Sequence, residues 1–383
     1  METRVLGARL RTERLRRQWS QSGLCEGICA VSYLSKIEQG KADASEEILR
    51  LLFERLALPW MEEGSLAEAQ ALTRRMYDAV LEGRWEDAER ERTALLEQRD
   101  RQSPFALDMY LLCEVTALAR TPLDASLEPA LDNRQLALQR VLQERYDEAV
   151  QLCPQPYFYY MAGRDAYSRG EDDTHTMALL QQGFALAAQE GFVHLMLECR
   201  VLMGNCCSNQ LAFENMCEHY RVARRLAVLL DCKERIRDID YNIAATQLEL
   251  GRYDEAYAYF STLKEPYPMD LHKLAICCEK RGLRQEALAA LERIEPVQNS
   301  VPDNALQEQM CAVVRYRLLH EDYLRREEYG QLLLSCFESI RETLPIGFAS
   351  FHLPWVLEWL TATRQYKRAY ELLCDFPKKA KNM

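Results

Sequence analysis

At 383 residues the chain exceeds one ordinary core and requires two or three domains, or one domain with a repeat array. Apolar residues at 48 % and charged residues at 28 % exclude a disordered chain. No apolar run reaches the ~18 residues that a membrane span needs, and the stretch METRVLGARLRTERLRRQ has no apolar signal-peptide core, so a cytoplasmic protein without a membrane partner is expected.

The net charge of −11 argues against a nucleic-acid partner only until it is divided. Residues 1–58 carry ten Lys/Arg against eight Asp/Glu, whereas the remainder carries 38 against 51. Six arginines fall within the first seventeen residues. Phosphate attraction follows local potential, so a basic head on an acidic body is compatible with DNA binding. The fourteen cysteines show no zinc spacing around Cys25/Cys29, Cys206-Cys207 or Cys277-Cys278 and read as small buried side chains.

In chain order, Leu6, Leu10 and Leu15 give the apolar stripe of a first helix ending near Trp19. Ser20 caps a second helix with Leu24 and Ile28 inward, and Val31 to Gln39 reads as a third, ended by Gly40. Ser45 caps a fourth helix, with Glu46 and Glu47 in its first turn and Ile48, Leu51, Leu52, Arg55 and Leu56 at helical spacing. Four short helices in under sixty residues predict a compact bundle. Pro59, Met61 and Gly64 mark a linker over residues 59–65.

These residues carry a resemblance. The run SQSGLCEGICAVSYLSKIEQGK is similar to the signature of the Xre/lambda-repressor-like helix-turn-helix, and the longer stretch through ILRLLFERL resembles the heads of Rgg- and PlcR-like regulators. Trp19 departs from the small residue usual there. The segment from the second helix to the turn is one residue shorter than in phage repressors, as in the PlcR-like branch. The resemblance implies that the third helix enters the major groove and presents Val31, Ser32, Ser35 and Lys36, with Tyr33 beside them. Lys36 would donate to guanine, Ser32 would donate or accept, and Val31 would pack on a thymine methyl. Gln21 would reach a phosphate or nearby base. Arg14 and Glu38 match positions that form a buried ion pair in relatives, which would orient Arg14 toward phosphate.

Residues 66–383 read as helical almost throughout. GRWEDAERERTALL (83–96), ERYDEAVQLC (144–153), GRYDEAYAYFSTL (251–263), RGLRQEALAALERI (281–294) and RQYKRAYELLCDF (364–376) share a turn, a bulky residue and an alanine three residues later. The turn lets two antiparallel helices meet. Ala88, Ala149, Ala256, Ala287 and Ala369 permit their close approach, and the bulky residue fills the gap to the next pair. Residues 241–268 resemble a tetratricopeptide repeat. Further pairs fit at 156–190, 194–230 and 305–340. The expected fold class is all-α: a lambda-repressor-like bundle, then a right-handed superhelix of about eight helix pairs with a concave groove.

First helices of such pairs line the groove. Asn205, Asn209 and Asn242 fall there, with Tyr241 and Arg164. An asparagine amide both donates and accepts, so it can hold an extended peptide backbone, and Arg164 would receive a peptide carboxylate. No phosphate-cradling loop, GxSxG or HExxH occurs, and the six histidines show no ligand spacing, so no enzyme, cofactor or metal is expected.

Order and size of the parts resemble the RRNPP family of quorum-sensing receptors. That resemblance implies a homodimeric transcription factor with two partners, a double-stranded DNA operator and a short signalling peptide. An interaction scaffold docking a protein, or a constitutive ligand-free DNA binder, are the alternatives.

Overall fold

The computed structural model describes residues 3–60, 63–97, 105–117, 121–170, 173–294, 304–344 and 346–379. Among them the regular elements are α-helices and short 3₁₀ turns, with no strand. Contacts divide the chain into two compact units, one of residues 1–162 with 182–195, the other of residues 163–181 with 196–383.

The first unit begins with the predicted head: α1 (Thr3–Arg16), α2 (Gln21–Cys25), α3 (Val31–Glu38) and α4 (Glu46–Arg55). Ser20 caps α2 by accepting from the Gly23 amide, and Ser45 caps α4 by accepting from the Ile48 amide. Leu6, Leu10, Leu24, Leu34, Ile37, Leu49, Leu52, Phe53 and Leu56 form the core of the bundle. Leu49, Leu52, Phe53 and Leu56 form the buried face of α4, and Leu51 lies off it, exposed. Gly7 lies flush against the Ile37 carbonyl, so α1 and α3 approach more closely than any side chain there would allow. Trp60 continues the head, with its ring edge on Phe53 at 5.5 Å and the Arg50 guanidinium 4.6 Å above it. The next helix, Glu63–Leu81, starts inside the segment expected to be linker, and residues 61 and 62 of that segment lie outside the described ones.

Head and following helices share this unit through α1, which packs on the 3₁₀ turn Ala125–Ala130. That turn is clamped to the helix Asn133–Leu142. Gln139, fully buried, accepts from the Leu123 amide and donates to the Leu123 carbonyl, both at 2.9 Å. Arg140 donates to both carboxylate oxygens of Glu128 at 2.6 and 3.0 Å.

Beyond the head, consecutive helices joined by tight turns pack on one another. Ala88, Ala149, Ala256 and Ala287 are wholly buried at the approaches, as their spacing requires, while Ala369 is half-buried. Trp85 fills the gap to the next pair, 6.2 Å from the Tyr157 ring and 6.1 Å from Tyr160. The turn residue needs a left-handed backbone. Gly83, Gly251 and Gly282 supply φ of +74°, +76° and +75°, whereas Glu144 and Arg364 occupy the equivalent place at +59° and +61°. Arg364→Gly should relieve that strain and stabilise by about 0.5–1 kcal/mol after the extra freedom glycine gives the unfolded chain. Thermal unfolding followed by circular dichroism would show it, and an unchanged or lower midpoint would refute it.

The second unit is packed around two clusters. One joins Leu197, Val201, Met216, Tyr220, Ala223 and Ile239. The larger runs from Ala244 to Leu360 and includes Phe260, Ile276, Val313, Tyr329, Phe337 and Trp359. The thiols of Cys199, Cys277 and Cys336 lie inside and are pushed up to about 12 by burial, so they are protonated and inert. No cysteine pair is bridged among the described residues.

Candidate functional site

Two places gather polar side chains in a way that packing alone does not require. The first is the outward side of α3. Leu34 and Ile37 bury the inner face, which turns Val31, Ser32 and Lys36 outward, Val31 being 44 % exposed. Among the described residues neither Ser32 nor Lys36 has a side-chain partner in the chain. Ser35 is half-buried and accepts from the Gln39 amide nitrogen at 3.2 Å. Tyr33 donates to the Asp43 carbonyl at 2.8 Å and ties the end of α3 to the loop after it.

Behind this surface lies a buried ion pair. Arg14 donates from Nε and Nη2 to the two oxygens of Glu38 at 2.6 and 2.8 Å, and from Nη1 to the Trp19 carbonyl at 2.8 Å. Gln21 donates to the same Glu38 carboxylate at 2.8 Å. Arg14 and Glu38 are 8 % and 5 % exposed. The Arg14–Glu38 pair and Gln21 together join α1 and α2 to α3.

The second place is a cavity of about 190 Å³ within the second unit. Its walls are the helices Val193–Asn209, Lys233–Glu249, Pro268–Lys280 and Ile346–Ala362, with Tyr167 from Pro156–Ser168. Four of the five side chains expected to bind a ligand meet here: Asn205, Asn209, Tyr241 and Asn242. Arg164 lies one helical turn before Tyr167 and is not among the lining residues. The cation that lines the cavity is Lys273, which sequence reasoning missed, together with Glu249, Ser208, Thr246, Phe348 and Phe351.

The amides are partly ordered already. Asn205 Oδ1 accepts from the Tyr220 hydroxyl at 2.6 Å and from Asn242 Nδ2 at 3.2 Å. That arrangement leaves Asn205 Nδ2 and Asn242 Oδ1 as one donor and one acceptor. Thr246 donates to the Asn242 carbonyl at 2.8 Å, so across the 2.6 Å contact Ser208 is the donor and Thr246 the acceptor. The Tyr241 hydroxyl is buried and has no hydrogen-bond partner among the described residues. Burial holds its pKa well above the ordinary phenol value. Lys273 is 3 % exposed, with its ammonium 3.0 Å from the centre of the Phe351 ring. Burial pulls it down to about 7 against a smaller opposing pull from Glu249. Glu249 in turn is raised by burial.

Residues 5–63 match the helix-turn-helix domain family. The head is a helix-turn-helix DNA-binding domain. Its α3 is the element such domains lay in the major groove, and the matched range ends where Glu63–Leu81 begins. Among solved structures, the Rap protein complexed with competence and sporulation factor is similar over 82 % of this chain and 99 % of its own, at 15 % identity and a TM-score of 0.61. The likeness shows a shared fold. PlcR of Bacillus thuringiensis, in complex with the peptide PapR7 and DNA, matches 75 % of this chain and 99 % of its own at 15 % identity and a TM-score of 0.31. The competence regulator ComR of Streptococcus vestibularis, in its apo form, matches the same shares at 12 % identity and 0.30. No curated protein matches the chain in sequence. A helix-turn-helix head joined to a Rap-like array of helix pairs is the arrangement that the RRNPP resemblance implies. Among the described residues no helix is long and apolar enough to cross a membrane, and no cluster of His, Cys, Asp and Glu is disposed to hold a metal ion.

Proposed function

We propose that the protein is a transcriptional regulator of the RRNPP type, whose helix-turn-helix head binds an operator and whose second unit binds a short signalling peptide that alters that binding. The observation that carries the reading is the convergence of Asn205, Asn209, Tyr241 and Asn242, spread over two helices, on one cavity in a chain with a helix-turn-helix head. Three amides and a phenol suit the alternating donors and acceptors of an extended backbone. The Rap protein, whose fold this chain shares, is seen in complex with competence and sporulation factor, and this supports a bound signalling factor here.

On DNA, Lys36 donates to a guanine edge, Ser32 reads beside it, Val31 packs on a thymine methyl, and Ser35 and Tyr33 stand at the margin. One such head reads too few base pairs to select a site in a genome, so two copies of the chain act as a homodimer on two half-sites. A peptide changes operator affinity by no more than its differential affinity for the competing arrangements of the chain.

The experiment is operator selection from random duplexes, followed by affinity at fixed salt. Lys36→Ala should weaken the selected site by about 1–3 kcal/mol and relax the base preference at one position per half-site. Equal affinity and equal preference in mutant and wild type would remove the reading helix from the proposal. Repeating the measurement with a peptide that the protein retains decides between a switched and a constitutive regulator.

A further inference from the structure

We propose that the cavity of the second unit takes one carboxylate of an extended peptide, held by the Lys273 ammonium. The proposal rests on the reading of this unit as a peptide receptor and adds the group that the cavity recognises.

A lysine buried to 3 % exposure needs a counter-charge, and Lys273 has none in contact. Among the described residues no carboxylate lies within ion-pair distance of it. Glu249, on the neighbouring helix Lys233–Glu249, acts on it only through space. The Phe351 ring at 3.0 Å presents its negative face, which lowers the cost of burial but does not neutralise the charge. The other groups around it worsen the imbalance or are already matched. His272 beside it and His352 from Ile346–Ala362 are both held neutral, His352 down to about 3, by burial and by Lys273 itself. Arg317 is tied to Glu279 at 2.7 Å, and the Cys277 thiol is protonated.

Tyr241 lines the same cavity, and its buried hydroxyl, without a hydrogen-bond partner among the described residues, lies in the field of Asp270 and Tyr259. The ammonium has three N–H donors and can serve both oxygens of a carboxylate. The amides of Asn205, Asn209 and Asn242 then meet the adjoining peptide groups. The cavity, of about 190 Å³, opens beside Lys273 and receives the part of the ligand that bears the acid.

Such a site has a defined pH dependence. A bound carboxylate favours the charged lysine and raises its pKa above the free value of about 7. Affinity is therefore full below pH 7 and falls, by up to tenfold per pH unit, as pH rises above it. Protonation of Glu249 on the acid side removes a competing anion and acts in the same direction.

The test uses the full chain, immobilised, and three synthetic heptapeptide mixtures. The first has free carboxyl termini and contains no Asp or Glu, the second is the same mixture amidated, and the third is amidated but contains Asp and Glu. Retention of the first over the second by tenfold or more at pH 6.5, lost in Lys273→Met, is the expected result for a terminal carboxylate. Retention of the third over the second assigns the acid to a side chain. Lys273→Arg should keep the discrimination yet flatten its decline between pH 6.5 and 8.5, and this variant decides the matter should Lys273→Met fail to fold by circular dichroism. Equal retention of all three mixtures, or a pH slope unchanged in Lys273→Arg, overturns the carboxylate site and leaves the peptide reading standing. No retention of any mixture overturns both.

Discussion

Glu38→Ala should destabilise the helix-turn-helix head by about 3–5 kcal/mol and abolish operator binding, although Glu38 is itself buried. The substitution leaves the Arg14 guanidinium buried with one partner, the Trp19 carbonyl, and strands the Gln21 amide that also donates to Glu38. A buried charge without its counter-ion costs far more than the pair contributes, so the loss measures desolvation and not the strength of a bond. Glu38→Gln, which keeps two acceptor sites but no charge, should fall between mutant and wild type. The double substitution of Arg14 and Glu38 by alanine should cost less than the two single effects added together, because the second change removes the charge that the first exposed. Denaturant unfolding with operator affinity measured in parallel would decide it. A Glu38→Ala head within 1 kcal/mol of wild type would show that the pair is dispensable.

The largest effect in the second unit should come from Trp359→Ala, at about 3–5 kcal/mol. Trp359 is 1 % exposed and donates from Nε1 to the Arg326 carbonyl at 3.3 Å. Gly330, on the helix Glu327–Thr343, lies against the indole so closely that a methyl there would overlap it. The surroundings are helix backbone and large side chains, including Tyr329 and Phe337, so they collapse little into the space left by the ring. Trp359→Phe, which keeps part of the volume, should lose roughly half as much. Guanidinium unfolding followed by far-ultraviolet dichroism reports both values, and a Trp359→Ala loss below 1 kcal/mol would mean that this layer repacks freely.

The head was legible in the sequence because its signals are local. Ser20, Gly40 and Ser45 act within a few residues of themselves, and each does in the structure what its chemistry demands. The turns at Gly83, Gly251 and Gly282 were legible for the same reason, as were the buried alanines Ala88, Ala256 and Ala287 that follow them. The choice of Leu49 and Phe53 for the buried face of α4 was not, because the run ILRLLF offers apolar residues at several spacings and only packing chooses among them. Lys273 was hidden for a related reason. In the run LHKLAICC a single lysine has the look of a surface residue, and its burial is decided by Phe351, some eighty positions later. Arg164 and Lys273 both sit on helices that open a pair, and periodicity cannot tell which of two such cations faces the cavity.

The packing of α1 bears on whether the head is an interchangeable cassette. One side of α1 presses through Gly7 on the reading helix, and another rests on the turn Ala125–Ala130, which Gln139 and Arg140 hold in place. The orientation of the DNA-reading surface is thus set in part by residues more than a hundred positions away along the chain. A graft of residues 1–58 onto a relative's body would carry the fold of the head but leave α1 against a foreign turn. The transplantable module is discontinuous: the head together with residues 123–140.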